Sequence, residues 1–245
     1  MTASPQVPAT DPRDRKTYVF HETYLRKILV PVLRGLFRTF SDLQVEGAGN
    51  LPAGGPVVLA ANHLTGFDMF PMQFAIPRPL FFMGKEELFR NPLLDLLIRE
   101  LGAFPVRRGA RDDWALRHAR EVLEHGQVLG MFPEGSRSRG KGLLPGKSGA
   151  ARLAISAGCP VVLMAIDGTQ RIFKTGLHRT PVTISLSSPL SPNYRESPLD
   201  FTDRLMFTLA AMLPPTLRGV YAVRPKGFRE GISQVKELPP RRPPV

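Results

Sequence analysis

Asn62-His63-Leu64-Thr65-Gly66-Phe67-Asp68 brings together the two residue types that make a general base, a histidine and a carboxylate five positions further on. A carboxylate on one ring nitrogen fixes the tautomer and stabilises the imidazolium, leaving the other nitrogen to take a proton from a hydroxyl. The run Pro56-Val57-Val58-Leu59-Ala60-Ala61, preceded by Gly54-Gly55, reads as a short buried strand that delivers His63 at its end. Gly66 is expected to turn the chain tightly, so that Asp68 returns to the ring as Phe67-Asp68-Met69-Phe70 opens a helix. The spacing alone fits equally well with Asp68 as a helix cap and His63 as a hydrogen-bonded loop residue.

The elements that must position this loop alternate along the chain. Residues 43–46, 57–61, 80–83, 104–106, 127–132, 161–166 and 182–186 read as strands, and 92–101, 111–125, 147–157 and 200–212 as helices. That order implies an α/β fold, a central mixed and largely parallel sheet flanked by helices, with the ligand crevice outside the carboxyl edge of the strands. Lys85, Arg107-Arg108 and Pro133-Glu134-Gly135-Ser136-Arg137 all fall on that edge. Arg108 and Arg137 are expected to converge there on a phosphate, which a guanidinium fork grips in a bidentate way, with Glu134, Gly135 and Ser136 shaping the same subsite and Glu134 aiming the arginines.

Four blocks follow one another: the His63 to Asp68 loop, Gly102-Ala103-Phe104-Pro105-Val106-Arg107-Arg108, Phe132-Pro133-Glu134-Gly135-Ser136-Arg137-Ser138, and Cys159-Pro160-Val161-Val162-Leu163-Met164-Ala165-Ile166. In this order they resemble the glycerolipid acyltransferases, whose best-known members are 1-acylglycerol-3-phosphate (lysophosphatidate) acyltransferases, over roughly residues 43 to 190. The resemblance implies His63 and Asp68 as the catalytic pair and an acyl thioester as donor, either acyl-CoA or acyl-carrier protein. It also implies that Lys85 lies close to the histidine, where it steadies a phosphate or the developing oxyanion; a surface lysine opening a helix fits the same position. The chain departs from the family at Ser136, where threonine is common, at Arg107, where aspartate often precedes the arginine, and at Leu163, where a second proline is frequent. These departures bear on the acceptor.

The formal charge of +12, from 33 Lys and Arg against 21 Asp and Glu, favours anionic partners, phosphate-bearing lipid and an acidic bilayer or else a nucleic acid. The single cysteine, Cys159, excludes an intrachain disulfide and suits a reducing compartment. Gly142-Leu143-Leu144-Pro145-Gly146-Lys147-Ser148 ends like a phosphate loop but has Lys141 where that motif needs glycine, and no serine has glycine at both two-residue offsets. The histidines at 21, 63, 118, 125 and 178 lack zinc-site spacing, so no metal and no cofactor is expected, and Trp114 and His118 are read as packing or surface residues without chemistry.

Residues 1–16 contain no apolar core of the kind a signal peptide needs and are expected to be disordered; 17–41 form an amphipathic membrane-interface helix; 42–223 form the acyltransferase domain; 224–245 form a Pro- and Arg-rich tail. In the helix, Leu25, Ile28, Leu29, Val32, Leu33, Leu36 and Phe40 form a stripe, Arg26, Lys27, Arg34 and Arg38 project on the other side, and Pro31 should kink or split it. A helix packed on the catalytic domain is the other reading. The expected whole is a peripheral (monotopic) protein at the cytoplasmic face of the cell membrane, transferring an acyl group to the hydroxyl of a lysophospholipid, 1-acylglycerol-3-phosphate above all, to give phosphatidate. The alternatives are a related enzyme with a different lipid acceptor (a glycolipid, an ornithine lipid or another lysophospholipid) and a non-catalytic basic module that binds membrane or nucleic acid. The expected partners are the lipid acceptor, the thioester donor with acyl-carrier protein among the candidates, and an anionic membrane surface, with no nucleic acid.

Overall fold

A five-residue strand with every side chain buried, β2 (Val57–Ala61), lies in the middle of the sheet, as a continuous run of valine, leucine and alanine requires when both faces are covered. The computed structural model describes residues 11–107, 109, 112–174 and 178–224. In chain order the elements are α1 (Tyr24–Phe40), β1 (Ser41–Glu46), β2, α2 (Met69–Phe74), β3 (Leu80–Lys85), α3 (Pro92–Glu100), β4 (Ala103–Val106), α4 (Asp113–Glu124), β5 (Val128–Met131), α5 (Gly149–Ala157), β6 (Val161–Asp167), β7 (Thr180–Leu186) and α6 (Pro198–Met212). All the strands expected from the sequence are present. They form one seven-stranded sheet in the order β1-β7-β6-β2-β5-β3-β4.

Neighbours from β6 through β2, β5 and β3 to β4 are parallel, whereas β7 runs antiparallel to β6 and carries β1 parallel to itself at the far edge. The five co-directional strands therefore end on a single edge. α4, α5 and α6 pack in sequence against these strands, while α1 packs on α2 and β1. No residue separates α1 from β1: Phe40 closes the helix, Ser41 opens the strand, and the buried Ser41 hydroxyl donates back to the Phe37 carbonyl over 2.7 Å.

Three expectations need correction. Residues 11–16 belong to the folded structure: Pro12–Arg15 form a 3-10 turn in which buried Arg13 forks onto Asp112, at 2.6 and 2.8 Å, and onto Asp11. The pairing holds the Asp11 carboxyl far below its usual range. Residues 1–10 and the tail from 225 onward lie outside the described residues. The first helix begins at Tyr24, capped by Thr23, because Tyr18 and Phe20 leave the helical path to pack on His118. It runs through Pro31 without being split.

Arg26 does not project with the other basic residues. It is 2% exposed beneath α1, donating to Gln73 Oε1 at 2.6 Å and the Leu80 carbonyl at 2.7 Å, with its guanidinium over the Phe81 ring. Burial lowers its pKa to about 10. The helix thus has three faces: a core face through Arg26, Leu33 and Phe37, a basic edge of Lys27, Arg34 and Arg38, and an exposed apolar flank of Tyr24, Leu25, Ile28, Val32 and Leu36. No helix among the described residues is long and apolar enough to cross a membrane.

Candidate active site

β2 ends by placing His63 in a loop whose turns are closed by one carboxylate. Asp68, with no exposed surface, accepts from His63 Nδ1 at 2.8 Å and from the Leu64 and Thr65 N–H groups at 2.6 and 2.8 Å, all through Oδ2. The carboxylate therefore points back along the chain and makes no cap bond to α2. Gly66 does not supply the turn by a left-handed conformation, since its φ is not positive. A Cβ there would lie 3.5 Å from the Arg137 guanidinium, an ordinary contact distance, which places that guanidinium against the loop.

The second oxygen of Asp68 is held from across the sheet. Thr169 Oγ1 donates to Oδ1 over 2.6 Å, from a turn just beyond β6, and both side chains are buried. Gly168 makes this approach possible: at φ 104° its missing Cβ would stand 2.1 Å from the Pro181 carbonyl oxygen, so only glycine turns the chain there. Asn62 ties the same two strand ends together, giving and taking one bond with the Ile166 backbone at 2.8 and 2.7 Å.

The loop after β5 closes over His63. Ser138 N–H donates to the His63 carbonyl at 2.7 Å, Arg139 N–H to the Leu64 carbonyl at 3.1 Å, and the Phe132 ring stacks on the imidazole at a centroid distance of 3.9 Å. Glu134 Oε1 accepts from His63 N–H at 2.6 Å and Oε2 from Leu144 N–H at 2.8 Å. Burial raises its pKa to about 7 against the pull of those two donors. Glu134 was expected to contact phosphate or aim arginines; at 2% exposure, with both oxygens on backbone donors, it braces the His63 loop instead.

The remaining candidates spread along the sheet edge. Gly135, Ser136 and Arg137 are exposed, and Gly135 adopts φ 68° with the Lys147 side chain lying where a Cβ would be. Among the described residues Arg137 pairs with no carboxylate, so its guanidinium, beside the His63 loop, is available to an anion. Lys85 stands at the end of β3 as expected, with its ammonium 2.9 Å from Glu87. Arg107 is committed to Glu86 and Asp11, while Arg108 lies outside the described residues. Trp114 and His118 take part in packing: the two rings stack at 4.9 Å beside Tyr18 and Phe104.

Chemically, His63 Nδ1 is occupied, which leaves its Nε2 as the ring atom that could take a hydroxyl proton, and the Arg137 guanidinium lies beside Gly66 of the same loop, where an anionic group could meet it. A model of the Acyltransferase family matches residues 42–167, from β1 through the end of β6. The 1-acyl-sn-glycerol-3-phosphate acyltransferase of Escherichia coli is 33% identical over 141 residues, 56% of this chain and 57% of that protein. Its counterpart in Bacillus subtilis is 28% identical over 154 residues, 61% of this chain and 76% of that protein. Thus the matched stretch spans little more than half of the first of these relatives. The crystal structure of the 1-acyl-sn-glycerophosphate (LPA) acyltransferase PlsC from Thermotoga maritima superposes with a TM-score of 0.64 at 26% identity, covering 77% of this chain and 78% of that one. The matched region contains the His63–Asp68 loop, the Glu134 brace and all five co-directional strands, and the chain belongs to the acyltransferase family.

Proposed function

We propose that the chain transfers a fatty acyl group from an acyl thioester, acyl-CoA or acyl-carrier protein, to the hydroxyl of 1-acylglycerol-3-phosphate, giving phosphatidate. The observation that carries this reading is the buried His63–Asp68 pair, 2.8 Å apart, with the Arg137 guanidinium lying across the same loop. His63 Nε2 takes the hydroxyl proton as the acceptor oxygen attacks the thioester carbonyl carbon. The tetrahedral intermediate then collapses by breaking the C–S bond, and the imidazolium returns the proton to the departing sulfur, which leaves as free thiol. Asp68 stabilises the imidazolium between these steps. General-base assistance supplies about 10²–10⁴-fold, so holding the acceptor by its phosphate must supply much of the rest.

The substrates carry long apolar chains, so docking at the cytoplasmic face of the membrane is part of the proposal. The basic edge of α1 is suited to it, since each Lys or Arg near an anionic surface contributes about 1 kcal/mol. Charge reversal at Lys27, Arg34 and Arg38 should release the protein from anionic vesicles; Arg26 is excluded from that set because it is a core residue.

The direct test offers lysophosphatidate with several acyl-CoA and acyl-carrier-protein donors and reads the products by mass spectrometry. Phosphatidate and free thiol formed in equal amounts are expected. A yield no higher than that of His63→Ala would overturn the reading.

A further inference from the structure

α3 is built inside out. Asn91 caps it by accepting from Leu93 and Leu94 N–H, and Pro92 fills the first helical position. Its only buried residue is Asp95, which pairs with Lys16 at 2.7 Å and Arg99 at 3.1 Å. The leucines face outward: Leu93 is 81% exposed, Leu96 50%, Leu97 40% and Leu94 37%. A helix facing only water turns its apolar side to the core and its charges outward, the reverse of what is found here.

The surroundings identify what covers these leucines. Thr23 Oγ1 donates to Glu100 Oε2 over 2.6 Å, which joins the start of α1, a helix with its own exposed apolar flank, to the end of α3. Both acidic groups of α3 are engaged, Asp95 with cations and Glu100 with Thr23, and Glu86 and Glu87 before it pair with Arg107 and Lys85. Exposed Arg90 pairs with no carboxylate among the described residues, a cation suited to an anionic surface, while Lys27 lies 4.0 Å from Glu22. α3 itself offers leucines without the tryptophan or tyrosine anchors that dominate protein interfaces, and its one arginine is spent on Asp95 and the Thr17 carbonyl. The helix begins seven residues after Lys85, so its first turn, with Leu93, follows the carboxyl end of β3.

We propose that α3 is a membrane-inserting foot: its leucines enter the headgroup and upper acyl region of an anionic bilayer and present the carboxyl edge of the sheet to the lipid. The purpose of this contact rests on the lipid-acceptor reading above, but its measurement does not. Vesicles of phosphatidylcholine with phosphatidylglycerol, added to the full chain carrying Leu93→Trp, should shift that tryptophan's emission to the blue, with quenching by acyl-brominated lipid; native Trp114 is buried and serves as background. The combined Leu93→Gln, Leu96→Gln and Leu97→Gln variant should lose about tenfold or more in vesicle partition while keeping its helical circular dichroism and its rate on detergent-dispersed substrates. The corresponding methionine variant should bind like the original. An unmoved Leu93→Trp emission in the presence of vesicles, or a glutamine variant that sediments as well as the original, would sink the proposal, as would a dimer in gel filtration that the glutamine variant splits. Insertion by a chain that transfers no acyl group would uphold the foot and sink the enzymatic reading.

Discussion

The backbone N–H of His63 donates to Glu134 Oε1 over 2.6 Å while its ring Nδ1–H donates to Asp68 Oδ2 across 2.8 Å, so one histidine is fixed by two buried carboxylates with different tasks. Asp68 holds the ring, and Glu134 holds the backbone that carries it. Only Asp68 lies where its charge meets the imidazole.

His63→Ala should abolish transfer with the fold intact, and Asp68→Asn should cost less, about 10²–10⁴-fold in kcat. The asparagine fits because its amide nitrogen can face the Thr169 hydroxyl, which also accepts, while its oxygen keeps the ring and the two loop N–H donors. A crystal structure of Asp68→Asn with an unmoved His63, alongside the rate loss, is the expected pair of results.

Thr169→Val removes the nearer hydroxyl donor to Asp68 Oδ1, leaving Thr65 Oγ1 at 3.3 Å. We expect kcat to fall about tenfold with KM for both substrates unchanged, and Thr169→Ser to restore it. Equal loss in the serine variant would make Thr169 a packing residue only.

Arg137→Lys should raise the acceptor KM about tenfold, with the donor KM spared, because a point charge replaces a fork. Arg107→Ala is the control and should leave both constants near their original values, since that guanidinium is already taken by Glu86 and Asp11. Initial rates with each substrate varied in turn separate the two cases.

Two buried groups give opposite pH slopes to stability. Burial lowers His118 from 6.5 to about 4, so its contribution is complete above pH 6.5 and is lost as the pH falls toward 4, a span worth about 3 kcal/mol. Glu134 is raised from 4.5 to about 7, so its contribution is complete below pH 4.5 and is lost as the pH rises through 7, by a similar order. The slopes offset one another between pH 4.5 and 6.5. Replacing His118 by Phe, which keeps the aromatic stack, should expose the Glu134 slope, and denaturant melts of the variant across that range should show stability falling as pH rises.

The strands were legible because each is an apolar run bounded by glycine, proline or polar turns, and the edge on which the loops gather follows from their alternation. The His63–Asp68 pairing was legible from local spacing, though Gly66 does not bend the chain through a left-handed conformation. Thr169 was not, since it stands 101 residues from Asp68 and a threonine after a strand carries no local signal. Arg26 was misread because α1 has two apolar flanks, and the exposed one at 25, 28, 32 and 36 has the better helical spacing. The core flank includes a charge whose partners, Gln73 and the Leu80 carbonyl, lie on other elements.

The junction of Phe40 with Ser41 makes α1 a lever with no slack at its fulcrum. Ser41 pairs with Thr180 in the sheet register while its hydroxyl still grips the last turn of the helix, so no dihedral is free to absorb rotation between the two. A tilt imposed on α1 from outside would therefore be passed to β1 and β7 as torque. Flexible residues inserted at this joint should leave both parts folded and let α1 and the sheet turn independently, because their relative orientation is set by a connection zero residues long.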